Sequence, residues 1–187
     1  TLNALITLLP ILAAELYLTF QQHAVIDFLE VASSALYALN KFTDQPSDIA
    51  LNLDYRIQHI LMDEFQDTSI TQYQLLTSLS QGFEPHDGRT LFLVGDPMQS
   101  IYRFREAEVG FFIRAKQQKI GNLQLTPITL TTNFRATQNL VHWSNEVFSE
   151  IFPEEDNINS GEIKFQKALA IKENPDSKTT IYPLIDE

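Results

Sequence analysis

"HILMDEFQDTS", residues 59–69, is the stretch that decides how the whole chain is interpreted. A short apolar run ends abruptly there in three acids, Asp63, Glu64 and Asp67. Short apolar runs bounded by polar residues are typical of strands buried on both faces inside a parallel sheet. Three carboxylates within five positions repel one another, so we expect a cation or basic groups to compensate their charge.

Two further apolar runs have the same form. "TLFLVGD", residues 90–96, ends in Asp96 after Gly95, which suits a tight turn, and "ITLTTNFR", residues 128–135, ends in Asn133 and Arg135. Helical patterns separate the three runs, and this alternation predicts an α/β fold with one parallel sheet and flanking helices. Because such sheets bind ligands beyond the carboxyl ends of their strands, we expect the three polar ends to form one site.

The spacing of apolar residues predicts the helices around these strands. An α-helical N-terminal segment of two helices is expected in residues 2–40, with a break at 21–23 and a loop at 41–48. A capping box at Ser69 begins the next helix, which is expected to stop at Gly82. Later helices are expected at 108–118 and 138–152, and an edge hairpin or strand pair at 161–187.

Composition limits the class of protein. The 187 residues are 44% hydrophobic, enough for one good core or two small ones. The absence of cysteine excludes a disulfide scaffold and a thiolate metal site, and it fits a reducing compartment. The most apolar stretch, residues 5–20, is interrupted by Pro10 and Glu15 and is short for a membrane span. We therefore expect a soluble cytoplasmic protein with no membrane partner.

The charge is strongly acidic and unevenly distributed. A net charge of −11 argues against a protein that coats nucleic acid generally. Residues 1–100 carry three basic side chains against twelve acidic ones, whereas residues 103–119 carry five basic against two acidic. Any contact with a polyanion should concentrate in residues 103–119, although a solvated helix face explains the same charges equally well.

The acids after the first strand have a chemical interpretation. A carboxylate at the end of a strand can hold Mg²⁺, which prefers oxygen ligands, and a neighbouring carboxylate can polarise an attacking water. Asp63 and Glu64 suit those two roles. Asp67 either supports the ligands or caps the following helix. The simpler alternative for Asp63 and Glu64 is a solvated loop after a strand.

The residues after the second strand suit phosphate and nucleic acid. Gln99 can accept a hydrogen bond from water and donate one to a phosphate, as a γ-phosphate sensor does. Phe104 lies between Arg103 and Arg105 and close to Tyr102, a composition suited to stacking a base while holding its backbone. Ordinary core packing of Phe104 is the alternative.

The third strand end adds a cation and an aromatic ring. Arg135 could reach a transferring phosphoryl group as an arginine finger. Phe134 beside it could stack on an adenine ring. A surface arginine and a buried phenylalanine are the alternatives.

Three of these segments resemble a known family. "DEFQDT", "VGDPMQSIYRFR" and "TTNFRAT" resemble motifs II, III and IV of UvrD/Rep-type superfamily 1 DNA helicases, in the correct order. "GDPMQSIYRFREAEVGFF" is especially similar to the RecB/AddA-like (exonuclease V beta-like) branch. The resemblance implies a partial RecA-like (P-loop NTPase) fold. It also implies ATP and Mg²⁺ as cofactors, and ATP hydrolysis coupled to 3′-to-5′ movement on single-stranded DNA. The implied partners are single- or double-stranded DNA and the other subunits of a helicase–nuclease.

The resemblance also assigns roles to residues of the first two motifs. It implies that Asp63 serves Mg²⁺ and that Glu64 activates the hydrolytic water, with Gln66 and Asp67 in the cofactor-binding motif. Gln99 would sense the γ-phosphate. Arg105 would link that site to the motif II acids.

The remaining roles concern DNA and the nucleotide. Tyr102, Arg103 and Phe104 would face single-stranded DNA, with Phe104 standing where many relatives have Trp. Arg135 would contact the γ-phosphate and Phe134 the adenine. Glu106 occupies a position where relatives usually have Gly, and it adds a negative charge beside the presumed DNA track.

The resemblance covers only part of a helicase. Residues 1–50 would be a helical insertion of the first RecA-like domain, 51–125 the C-terminal half of that domain, and 126–187 the start of the second. The phosphate-binding motif G-x-x-x-x-G-K-[ST] does not occur in the sequence, and motifs V and VI are absent. We therefore expect an excised central fragment that is inactive alone.

Two other functions are consistent with the residues. One is a metal-dependent nuclease or phosphohydrolase that uses Asp63, Glu64, Asp67 and Asp96 without ATP. The other is a non-catalytic interaction module that retains helicase architecture. Gln99 and Arg135 have no role in the nuclease hypothesis, which counts against it.

Overall fold

The computed structural model describes residues 2–39, 48–101, 108–158, 160–174, 178–180 and 182. Within them lie six helices and six strands, in chain order: α1 (Leu2–His23), α2 (Phe28–Leu39), α3 (Asp48–Arg56), β1 (His59–Met62), α4 (Ile70–Leu79), β2 (Thr90–Leu93), α5 (Gly110–Gln117), β3 (Lys119–Ile120), β4 (Leu123–Gln124), β5 (Thr132–Thr137), α6 (Gln138–Ile151) and β6 (Leu169–Lys172). The predicted α/β class is confirmed, since helices alternate with strands and two of the strand pairs are parallel.

Helix α1 is longer than the sequence suggested. It runs for 22 residues straight through Pro10, because strong helix formers surround that proline. It ends at His23, so the predicted break lies a few residues later, where Ala24 has a φ of 50°. None of its side chains is buried. With a mean hydropathy of 1.6, α1 is long and apolar enough to cross a membrane. Core helices of soluble proteins and signal sequences can have the same length and composition. Because α1 extends beyond residues 5–20 at both ends, its length does not exclude a span, and the expectation drawn from those residues stays a prediction.

Strands β1 and β2 pair in parallel and place the acidic stretch. His59 is opposite Thr90 and Met62 is opposite Leu93. Neighbouring side chains of a strand point to opposite faces of the sheet, and the face that carries Met62 and Leu93 packs on the core. The other face carries Leu61 and Phe92, which are 70% and 54% exposed. The prediction of strands buried on both faces was wrong, because the described residues cover only one face.

Helices α4 and α5 cover the inner face of this sheet. The buried core contains Phe65, Leu76, Phe111, Ala115 and Ile120. Tyr73 of α4 stacks on the Phe111 ring with centroids 4.3 Å apart. Burial raises the pKa of the Tyr73 hydroxyl, and the nearby Arg114 charge partly opposes that rise.

The beginning of α4 is as predicted. The Ser69 hydroxyl accepts from the Gln72 backbone N–H at 3.3 Å, and the Gln72 side chain accepts from the Ser69 N–H at 3.0 Å, forming a capping box. The helix ends at Leu79 rather than at Gly82, because Ser80 caps it with both its amide and its hydroxyl bonded to the Leu76 carbonyl.

Arg89 fastens α3 to the connection between α4 and β2. Its guanidinium donates to Asp54 at 2.8 Å, to Asp87 at 2.6 Å and to the Gly82 carbonyl. It also lies 4.5 Å from the centre of the Phe83 ring. The pKa of Asp87 falls to about 2, chiefly because the Glu84 backbone N–H donates to its carboxylate, with further hydrogen bonds from Arg89.

The third predicted strand differs from expectation. Strand β5 begins at Thr132 rather than at 128, so Asn133 and Arg135 lie inside the strand instead of at its end. It pairs in parallel with β6, and among the described residues these two strands form a sheet separate from β1 and β2. The prediction of one sheet holding all three strands was therefore wrong, because β6 supplies the partner of β5.

The tail also departs from the prediction. The first extended run contains β6, which is a parallel partner of β5 rather than half of a hairpin. Asn145 of α6 fixes the approach to β6, since its side chain donates to the Ala168 carbonyl at 2.8 Å and accepts from the Ala168 N–H at 3.0 Å. Most of the second extended run lies outside the described residues.

Two contacts join α5 to the loop that follows α6. Lys116 of α5 lies 3.8 Å from Asp156 in the loop after α6. Gly110 packs against the same loop so closely that a Cβ there would lie 2.9 Å from the Ile158 carbonyl oxygen. A cleft of about 810 Å³ lies between α5 and this loop, and none of the predicted site residues lines it.

Candidate functional site

The acids after β1 lie beside the turn that follows β2. Parallel pairing continues past both strands, because the Val94 N–H donates to the Met62 carbonyl and the Phe65 N–H donates to the Val94 carbonyl, each at 2.9 Å. Asp63 and Glu64 are both exposed at this edge. Two of the three predicted strand ends therefore meet, as expected from parallel pairing.

Glu64 has an unusual backbone conformation. Its φ of 51° and ψ of 40° place it in the left-handed region, which costs energy for any residue with a Cβ. The Asp63 carboxylate accepts from the Glu64 N–H at 2.9 Å and supports this turn. Strain of this kind persists where the surrounding contacts fix the backbone, and it is frequent at functional sites.

Gln66 joins the two strand ends. Its side chain is buried, with 1% of the residue exposed. Its amide nitrogen donates to the Glu64 carboxylate at 2.7 Å and to Asp67 at 3.3 Å, and its amide oxygen accepts from the Asp96 N–H at 3.0 Å. Gly95 makes room for this bridge, because a Cβ there would collide with the Gln66 amide oxygen.

Asp67 makes a second connection between the same segments. Its carboxylate accepts from the Ser100 hydroxyl at 3.2 Å. The alternative in which Asp67 caps the following helix was wrong, because Ser69 holds that position. Ser100 was not among the predicted residues, since nothing in the local sequence indicates that its hydroxyl faces an acid 33 positions away.

Asp96 and Gln99 form the turn after β2. One Asp96 carboxylate oxygen accepts from the Met98 N–H at 3.1 Å and so caps the short 3-10 turn Pro97–Gln99. The other accepts from the Gln99 side-chain amide at 2.8 Å. Gln99 is exposed, so its amide can exchange this partner for another acceptor.

Phe134 and Arg135 project from a bulge in β5. Asn133 pairs with Ala170 and Thr137 with Lys172, so three residues of β5 face one residue of β6. The Asn133 side-chain oxygen accepts from the N–H groups of Arg135 and Ala136, at 2.9 and 2.8 Å. Phe134 is 74% exposed and Arg135 is exposed, so Phe134 lacks the buried environment that its alternative interpretation requires.

Within the described residues, Phe134 and Arg135 are not linked to the acids after β1. The hydrogen bonds and ion pairs of the described residues join neither Phe134 nor Arg135 to Asp63 or Glu64. Tyr102, Arg103, Phe104, Arg105 and Glu106 lie outside the described residues.

The donor set at the end of β1 fits Mg²⁺. This ion commonly takes one or two carboxylates and completes its shell with water and phosphate oxygens, and the exposed Asp63 carboxylate offers such a ligand. Within the part of the chain that the structure describes, no three acidic or histidine side chains converge as a metal site.

Comparisons with known proteins show which family the chain is similar to. The family model described as "UvrD/REP helicase N-terminal domain" matches residues 9–120. The chain is similar to a protein of Lysinibacillus sphaericus (strain C3-41) that is named as one subunit of an ATP-dependent helicase/nuclease, with 34% identity over 176 residues. That match covers 91% of this chain and 14% of the relative.

Proteins of the same name occur in two further bacteria. The chain is 34% identical over 153 residues to the protein of Levilactobacillus brevis and 35% identical over 156 residues to that of Exiguobacterium sibiricum. Each of these two matches covers 81% of this chain and 12% of the relative. The chain therefore spans a small part of the length of these proteins.

Proposed function

The chain belongs to the UvrD/REP helicase family, and we propose that it supplies the metal- and water-binding half of the ATP site of a DNA helicase. The observation that carries the proposal is the join at the carboxyl ends of β1 and β2. Exposed Asp63 and Glu64 are held there against the β2 turn by the buried Gln66.

In the proposed site, Asp63 would hold Mg²⁺ and Glu64 would accept a proton from the attacking water. Bound Mg²⁺ supplies positive charge that stabilises the phosphate oxygens during transfer. A carboxylate beside the attacking water polarises it and takes its proton. The Glu64 carboxylate is held for this task by the Gln66 amide at 2.7 Å.

The proposal gives the other residues roles around the phosphates. Gln99 exchanges its Asp96 partner for the γ-phosphate, and Arg105 links that phosphate to the motif II acids. Arg135 binds the γ-phosphate and Phe134 stacks on adenine, both from the exposed β5 bulge. The proposal assigns contact with single-stranded DNA to Tyr102, Arg103 and Phe104, which lie outside the described residues.

At the scale of the whole protein, we propose ATP-driven movement along single-stranded DNA in the cytoplasm. The relatives are named as subunits of an ATP-dependent helicase/nuclease, which supports DNA as the substrate and other subunits as partners. Residues 51–125 are then the C-terminal half of the first RecA-like domain. Residues 1–50 form its helical insertion and 126–187 begin the second RecA-like domain.

A nuclease without ATP receives less support. Asp67 is engaged by Ser100, and Asp96 by Met98 and Gln99, so these two acids are used within the turn. The four acids of that hypothesis do not converge on a common point among the described residues.

The isolated chain is expected to show no measurable ATPase, because its sequence contains no phosphate-binding G-x-x-x-x-G-K-[ST]. In a decisive experiment, this chain replaces the aligned segment of the Lysinibacillus sphaericus protein. DNA-stimulated ATP hydrolysis by the resulting chimera is then measured. We expect turnover in the chimera and its loss in Glu64→Gln. The matched control Glu150→Gln, on the exposed surface of α6, should keep turnover. A folded, active chimera that keeps turnover with Glu64→Gln would contradict the proposal.

A further inference from the structure

We infer that Gln66 is a positioning residue that couples the Glu64 carboxylate to the turn after β2, residues 95–100. The inference rests on the proposed function and deepens it, since it explains how the proton-accepting carboxylate is held. The sequence placed Gln66 among the cofactor-binding residues. In the structure its side chain is enclosed, and both ends of its amide bind protein groups.

Both ends of the Gln66 amide are needed. The bond to Glu64 is short, at 2.7 Å, and its acceptor is charged, which makes it stronger than a bond between neutral groups. At the other end the amide oxygen accepts the Asp96 N–H at 3.0 Å. Because the side chain is buried, the amide oxygen has no water to replace the Asp96 N–H, and without Glu64 the amide nitrogen keeps only the longer bond to Asp67 at 3.3 Å.

The fit around Gly95 makes the coupling stiff. A Cβ at this position would collide with the Gln66 amide oxygen and would lie 3.0 Å from the Phe65 nitrogen. The β2 turn therefore lies directly against the Gln66 amide. A displacement of this turn must move the Gln66 amide, and the opposite end of that amide holds Glu64.

A parallel connection runs beside the first. Asp67 accepts from the Gln66 amide at 3.3 Å and from the Ser100 hydroxyl at 3.2 Å. The far end of the same turn is thus tied to the same amide. Since the proposed phosphate sensor Gln99 lies between Asp96 and Ser100, a change at Gln99 is transmitted to Glu64 through Gln66.

The first test uses hydrogen exchange in the 187-residue chain and needs no nucleotide. Gln66→Met keeps the size of the side chain but removes the amide, so exchange of the Asp96 N–H should accelerate about tenfold. The double variant Glu64→Gln with Gln66→Glu reverses donor and acceptor. It should slow Asp96 exchange below the rate in Gln66→Met without fully restoring the wild-type rate, because the carboxylate then present at position 66 accepts from the Asp96 N–H but also faces the Asp67 carboxylate. Unchanged exchange in Gln66→Met would overturn the inference.

The second test measures ATP hydrolysis by the chimera. Gln66→Met should lower kcat about 10- to 100-fold, as loss of a group that orients a catalytic ligand commonly does, with KM for ATP within about twofold. The matched control is Gln72→Met, which removes half of the α4 capping box without touching Glu64. It should keep kcat. An equal loss of kcat in both variants would show a merely structural role and overturn the inference.

The two proposals fail in different ways. Turnover that survives Glu64→Gln contradicts the proposed function. Turnover that is lost in Glu64→Gln but kept in Gln66→Met leaves the proposed function standing and overturns the positioning role. If the chimera does not fold, the exchange experiment on the chain itself decides the coupling.

Discussion

Glu64 combines a strained backbone with a carboxylate that accepts a hydrogen bond from Gln66. An acid is retained in the left-handed region although glycine or asparagine adopts it at lower cost. In this conformation its carboxylate lies 2.7 Å from the buried Gln66 amide. The strain is therefore offset by contacts that depend on the acid itself.

The backbone cost at position 64 can be measured by comparing two variants. Glu64→Gly and Glu64→Ala both lose the carboxylate and differ only in the Cβ. We expect the glycine variant to have a free energy of unfolding about 1 kcal/mol higher than the alanine variant, because glycine tolerates a φ of 51°. Urea denaturation gives the difference. At Glu146, in the interior of α6, the same pair should show the opposite sign, since glycine weakens a helix interior.

Asp87 should make stability depend on pH. Its pKa is about 2 in the folded chain and 3.8 ordinarily, so its contribution is complete above 3.8 and is lost as the pH falls through about 2. The free energy of unfolding of wild type should exceed that of Asp87→Asn at neutral pH, and this difference should shrink below pH 3.8. Urea denaturation from about pH 7 down to about pH 2 tests this.

Removing Arg89 provides the control. Arg89→Met should weaken the pH dependence without abolishing it, because the Glu84 N–H still donates to Asp87. A difference between wild type and Asp87→Asn that stays constant down to about pH 2 would contradict the cause assigned here.

Some site residues were predictable from the sequence and others were not. Asp63 and Glu64 follow an apolar run, and local pattern alone places them at a strand end. The roles of Gly95 and Ser100 depend on segments about 30 positions away, and a single local pattern carries no such information. Gln66 was named as a site residue, but its burial requires both strands to be in place.

Among the elements, the helices were easier to predict than the strands. The α4 capping box and the span of α6 rest on signals within a few residues, so their starts were predicted correctly. Strand β5 depends on pairing with β6, which lies more than 30 positions later. That non-local partner determines where β5 begins, and the apolar run at 128–131 did not reveal it.

The bulge in β5 depends on one side chain. Asn133 accepts from two backbone N–H groups, those of Arg135 and Ala136. Asn133→Ala should lower the free energy of unfolding by about 1–2 kcal/mol, because both donors lose their acceptor. Asn133→Asp keeps an acceptor oxygen and should lose much less. Thermal denaturation of the two variants compares them, and equal losses would contradict this account of the bulge.

The whole molecule exposes unusually much apolar surface. Its two parallel sheets contain two strands each within the described residues, and parallel sheets are usually covered on both faces. Leu61 and Phe92 are exposed on the outer face of the first sheet, and none of the α1 side chains is buried. Surfaces of this kind favour association.

The isolated chain is therefore expected to self-associate as its concentration rises. Replacing Leu61 and Phe92 by lysine should shift sedimentation velocity profiles towards the monomer and leave the fold intact, because both side chains are exposed. The control adds the same charge at Gln81 and Gln138, which are exposed, polar and outside this sheet. Equal effects of the two pairs would assign the association to net charge rather than to the apolar face.

The β5 bulge also offers a site for a fluorescent label. The chain contains no cysteine, so a cysteine introduced for Phe134 would be its single thiol. That position is 74% exposed and stands on a bulge fixed by Asn133, so a fluorophore attached there would be accessible and well anchored. Its emission would report on changes at this edge in real time and without a second label, in a chain that no longer has the proposed contact of Phe134 with adenine.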